Sequence, residues 1–88
     1  MQFQTGMIVR SNSGHDQNRF YVLVKLENNF GYIADGKRRK LCSPKKKNLL
    51  HLSKTDQIVP LEQINTDLKL RRVLWDYNYG DQTISVAE

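Results

Sequence analysis

Cysteine and histidine are nearly absent from this chain, and so is any long apolar stretch. The one cysteine, Cys42, excludes an internal disulfide. His15 and His51 lie far apart in sequence, so a zinc site has little support. A Cys42–His51 pair would leave a tetrahedral zinc site two ligands short, so no metal is expected. Cys42 reads as a small side chain in a turn. No run approaches the roughly 18 apolar residues that cross a bilayer, and the N-terminus lacks the apolar stretch of a secretory signal. A cytoplasmic protein without a membrane partner is expected. The sequence has no Gly-rich phosphate loop. His15 and Asp16 are neighbours whose side chains tend to diverge. Asp16 reads as a loop residue whose carboxylate accepts from nearby backbone N–H groups. No nucleophile, base and orienting group can be assembled, so neither catalysis nor a cofactor is expected.

Acidic residues are scarce too. Nine Asp and Glu face fourteen Lys and Arg, giving a net charge of +5 and a pI near 9.6. The balance points to an acidic partner, such as nucleic acid. Seven of the fourteen cations fall within residues 37–47, K-R-R-K-L-C-S-P-K-K-K, which contain no acid. Such a segment repels itself, and a polyphosphate backbone would offset that cost. Pro44, Leu41, Asp35-Gly36 and Leu49-Leu50-His51-Leu52 frame it as a shaped surface within a fold. Residues 1–59 hold eleven basic and four acidic side chains, a net +7, whereas residues 60–88 hold three and five, a net −2. The binding surface is therefore expected in the first two thirds.

The periodicity predicts one small, mainly β domain over residues 1–80. Met7–Arg10 is β-prone, and residues 11–18 form a polar loop. Phe20–Leu26 is the strongest strand, with Phe20, Val22, Val24 and Leu26 on one face and Tyr21, Leu23 and Lys25 on the other. Asn28-Asn29 turns into a return strand over Phe30–Ala34, and Asp35-Gly36 marks a second tight turn. Lys37–Leu41 is expected as a short basic edge strand. Pro44 then breaks the ladder, and Leu49–Ser53 forms the last strand. Up to five short strands at this spacing favour a small antiparallel barrel. Pro60 can open a helical turn through Ile64. Thr66 is the expected N-cap of a C-terminal helix near 67–78, with Asp67 at its first position. Leu70, Val73, Leu74 and Tyr77 lie at i, i+3, i+4 and i+7 and would cover the barrel, with Trp75 packing there too. Residues 81–88 are expected to be a flexible tail.

The segment G-M-I-V-R-S-N-S-G-H-D-Q-N-R-F-Y-V resembles a KOW motif, with Gly6, Val9, Gly14, Asp16 and Val22 at the motif's positions. The downstream A-D-G-K-R-R-K-L-C-S-P-K-K-K-N-L-L-H-L is similar to bacterial KOW-domain RNA-binding proteins, relatives of KOW-bearing large-subunit ribosomal proteins. The likeness covers about residues 5–53, and the downstream continuation is its more specific part. Asn18 departs from it, standing where the family often has a second glycine. Asn tolerates positive φ well, so the turn can survive.

The resemblance implies an SH3-like barrel that binds structured RNA through the loop 11–19 and the basic segment. The loop would present Ser11, His15, Gln17, Asn18 and Arg19. The basic segment would present Lys37, Arg38, Arg39, Lys40, Lys45, Lys46 and Lys47. Arg10 and His51 complete the expected RNA-binding set. Arginine can grip phosphate through two donors, whereas lysine acts as a point charge. No aromatic stacking platform stands out, because Phe20, Tyr21, Phe30 and Tyr32 lie in core-like strands, with Tyr21 and Tyr32 the exceptions to watch; this favours recognition of RNA by backbone and shape over base-by-base reading. A non-enzymatic, monomeric, ribosome-associated protein follows, with ribosomal RNA and ribosomal proteins as its expected partners. A protein-interaction module that uses the same basic face on an acidic partner is the rival. A peripheral membrane binder is weaker, since the helix has no strongly basic face.

Overall fold

The computed structural model describes residues 2–87; the side chains of Asp16 and of residues 80–87 lie outside the described residues. The carboxylate role expected for Asp16 therefore falls outside them, as do the side chains of the tail expected over 81–88.

Alternating apolar residues on both faces make β2 (Phe20–Glu27) the centre of the fold. Around it lie β1 (Met7–Ser11), β3 (Phe30–Ala34), β4 (Lys45–Asn48) and β5 (Leu52–Ile58). They form one antiparallel sheet in the order β4-β3-β2-β1-β5. Two 3-10 turns, Gly14–Asp16 and Leu49–His51, interrupt the connections. The architecture is thus mainly β, with one C-terminal helix, α1 (Asp67–Ala87).

The sheet buries both faces. Met7, Val9, Tyr21, Leu23, Ile33 and Leu52 form the core on one side. Ile8, Val22 and Ala34 meet Leu70 and Leu74 of α1 on the other, with Phe20, Val73 and Tyr77 packed around them. Each fully buried side chain of this size contributes about 1.5–3 kcal/mol, so α1 is part of the domain's stability. The expected helical stripe is therefore the face that docks. Its start is as expected: the Thr66 hydroxyl accepts from Lys69 N at 3.2 Å. The turn at Pro60 is present as well, with Gln63 N and Ile64 N both bonded to the Pro60 carbonyl.

Five expectations need correction. Leu26 does not share a face with Val22: the register shifts between Leu23 and Lys25, and Leu26 packs in the Tyr21–Leu23 core. A bulge adds one residue to one strand and so reverses every side chain beyond it. Lys37–Leu41 is not a strand but an irregular loop, and the basic edge strand is β4 instead. Leu49–His51 is a 3-10 turn, and the last strand begins at Leu52 and runs to Ile58. Trp75 does not pack on the sheet; it is 49% exposed. It follows Leu74 by one residue, about 100° around the helix, which takes it off the docking stripe. Finally, α1, expected near 67–78, continues through Gly80 to Ala87. A glycine costs a helix interior about 1 kcal/mol relative to alanine, too little to force a stop.

The two neighbouring helix positions should therefore respond differently. Leu74→Ala is expected to cost about 2–5 kcal/mol in urea unfolding, and Trp75→Ala less than about 1 kcal/mol. Equal losses would show that α1 docks through another face.

Candidate nucleic-acid interface

The basic loop after β3 folds around a buried acid. Asp35 is only 2% exposed. Its Oδ1 accepts from Lys37 N at 2.9 Å and Arg39 N at 2.8 Å. The Arg39 carbonyl in turn accepts from Asp35 N and Gly36 N. This is the side-chain-to-backbone turn that Asp favours. A second carboxylate fastens the far end of the loop, where Asp67 Oδ1 at the start of α1 accepts from Leu41 N at 2.8 Å. Gly36 permits the approach. It has φ +80°, and a Cβ there would overlap the Asp67 carbonyl oxygen. The loop is thus held from beneath by negative groups, with Lys37, Arg38 and Lys40 exposed above them.

Arg39 differs from these three. It is half-buried, and its Nε is buried without a hydrogen bond. Arg19 is also half-buried, with Nη2 4.0 Å from Asp35 Oδ2 and 3.2 Å from the Tyr79 hydroxyl. Burial pulls the Arg19 pKa down. The Tyr79 hydrogen bond, with the charges of Tyr79, Tyr21 and Asp35, outweighs it, and the net direction is upward. The same hydrogen bond draws the Tyr79 hydroxyl below its ordinary value, against a smaller upward effect of burial. Of the two arginines expected to grip RNA, Arg19 lies beside Asp35 and Tyr79, and Arg39 is half-buried and joins the turn through its backbone.

The loop 12–19 joins the other segments. Lys47 Nζ donates to the Ser13 carbonyl at 2.9 Å, and Asn12 N donates to the His51 carbonyl at 2.8 Å. Asn78 of α1 binds both backbone groups of Phe20, through Oδ1 to N at 2.9 Å and Nδ2 to O at 3.2 Å. It replaces β3 where that strand has turned away. Gly14 and Asn18 both adopt positive φ, 75° and 68°, so the Asn for Gly departure is accommodated. His15, Gln17 and Asn18 are exposed on this loop.

The remaining expected site residues divide. Arg10, Lys46 and His51 are exposed, and Lys46 Nζ lies 4.4 Å from the centre of the Phe30 ring. Lys45 is half-buried. Ser11 is fully buried on the core side of β1, and its hydroxyl donates to the Ser13 carbonyl at 3.3 Å. Lys47 is 8% exposed, opposite Gly31 on the inward side of β4. Strand alternation explains the split among the three lysines, because only alternate residues of a strand share a face. Ser11 and Lys47 are therefore structural. Cys42 is exposed, and no group of three or more metal-ligating side chains occurs among the described residues. No helix among them is long and apolar enough to cross a membrane.

No protein-family model matches the chain, and no curated protein matches it.

Asp35→Ala should release the loop. Amide exchange at Lys37 and Arg39 is expected to accelerate, with a stability loss of about 1–3 kcal/mol for the abandoned donors. Unchanged protection at both amides would show that the carboxylate does not hold the loop.

Proposed function

We propose that this chain is a non-enzymatic RNA-binding domain of the KOW type, built on an SH3-like barrel and acting on ribosomal RNA or another part of the translation machinery. The observation that carries the proposal is the braced basic loop. Two carboxylates, Asp35 and Asp67, hold the backbone from 37 to 41 while Lys37, Arg38 and Lys40 remain exposed. Cations fixed in this way repel one another, and a polyanion offsets the cost. Positive φ at Gly14 and Asn18 supports the resemblance of the 11–19 loop to the KOW unit.

The mechanism is electrostatic capture of a folded RNA backbone. Arg38 offers a two-donor fork for a phosphate, while Lys37 and Lys40 act as point charges. The loop is ordered in the folded protein, so binding need not pay for ordering it. His15, Gln17 and Asn18 supply polar contacts from the adjoining loop. Contacts of this kind position a backbone and read its shape.

The double substitution Arg38→Ala with Lys40→Ala should weaken binding to a structured RNA by roughly tenfold or more and leave the melting temperature unchanged, since exposed charges contribute little to stability. Lys47→Ala should instead lower the melting temperature. If four to six phosphates are neutralised, log affinity against log salt should slope at roughly −3 to −5. A slope near zero, or an acidic peptide that displaces the RNA and binds more tightly, would move the protein-interaction reading ahead.

A further inference from the structure

The outer face of α1 carries a feature that backbone capture does not use. Leu68, Arg71, Arg72, Trp75 and Asp76 line an open cavity of about 440 Å³. Leu68 is 50% exposed and Trp75 49%. The indole is also next to the basic loop. Its ring lies 4.6 Å from that of Tyr79, inclined by 43°. The Tyr79 ring has Arg19 at 5.5 Å and Lys37 Nζ at 5.8 Å. Gly36 meanwhile abuts the backbone at Asp67 and Arg71. One tyrosine ring therefore separates the exposed indole from the cations of the loop.

We propose that Trp75 is a stacking platform for an unpaired nucleobase of the same RNA whose backbone lies on Lys37, Arg38 and Lys40. The inference rests on the RNA-binding reading and specifies its ligand further: a folded RNA with an unpaired nucleotide beside the segment that the basic loop holds. Three features favour a base as the occupant. The platform is aromatic, and every base has a face that can stack on it. Arg71 and Arg72 flank it and can take the phosphates on either side of the base, with Asp76 the one acid among the five lining residues. It is continuous with the cationic loop through Tyr79, and the hydroxyl of Tyr79 is held by Arg19. The indole thus rests on a ring already fixed in orientation, which lowers the cost of ordering it on binding.

Trp75 is the only tryptophan in the chain, so its fluorescence reports on this site alone. The test compares a fully paired RNA hairpin with the same hairpin carrying one bulged adenosine. The bulged hairpin is expected to bind roughly tenfold more tightly and to quench the indole. Trp75→Ala should abolish that preference without changing the affinity for the paired hairpin, and Trp75→Phe should retain most of it. Equal affinity for the two hairpins, with no quenching by either, would overturn the platform and leave the RNA-binding reading standing. Failure of both hairpins to bind would overturn both. Quenching by an acidic peptide but by neither hairpin would assign the cavity to a protein partner instead.

Discussion

The Asp35 carboxylate is the constraint on which the cationic surface depends. A loop with four basic residues in succession has no intrinsic reason to adopt one shape, and its charges oppose any compact one. Asp35 supplies the reason. It is buried at the end of β3, takes two backbone N–H groups of the loop on one oxygen, and sets its other oxygen beside Arg19. Low local dielectric strengthens such bonds and makes their loss costly. The pairing with Arg19 is looser than the backbone bonds: Asp35 Oδ2 and the Nε atoms of Arg19 and Arg39 are buried without hydrogen bonds. The rigid part of the assembly is thus the turn, and the Arg19 guanidinium beside it acts chiefly through charge.

A sheet with two buried faces explains the division of labour among the remaining elements. One face closes on itself around Tyr21 and Leu23, and the other needs α1. The helix covers that second core and also reaches the loops, through Asp67 at its start and through Asn78 and Tyr79 some three turns later. Core packing and loop placement are therefore coupled through one element. A change in how α1 docks would be felt at Leu41, Phe20 and Arg19 together.

Much of the fold was legible in the sequence because it depends on period. Alternation marked β2, the Asn28-Asn29 turn marked the hairpin, and the 70–77 stripe marked the docking face of α1. Leu26 escaped because a bulge changes parity without leaving a sign in composition. The site was legible as charge but not as geometry. Arg38 and Arg39, or Lys46 and Lys47, are equivalent as residues; only the fold makes one of each pair exposed and the other structural. Asp35 was read as a turn residue, and its part in ordering the basic loop depends on contacts that spacing does not reveal. Tyr79 and Asn78 were missed altogether. Their partners, Arg19 and Phe20, lie about sixty residues away, and no local pattern announces such a pairing. The resemblance proposed from the sequence is confined to about residues 5–53, and nothing in it pointed to α1.

The bond between Asn78 and the backbone of Phe20 also bears on the order of folding. A chain made from its N-terminus has all five strands synthesised before residues 78 and 79 exist. Until they arrive, Phe20 lacks its partner for both backbone groups and Arg19 lacks the Tyr79 hydroxyl. Contacts of such long sequence separation form late, because closing the intervening chain must precede any gain from them. In folding, then, the sheet can pair while the start of β2 waits for the helix. A chain truncated before Asn78 would keep that strand end unsatisfied and open to pairing with another chain.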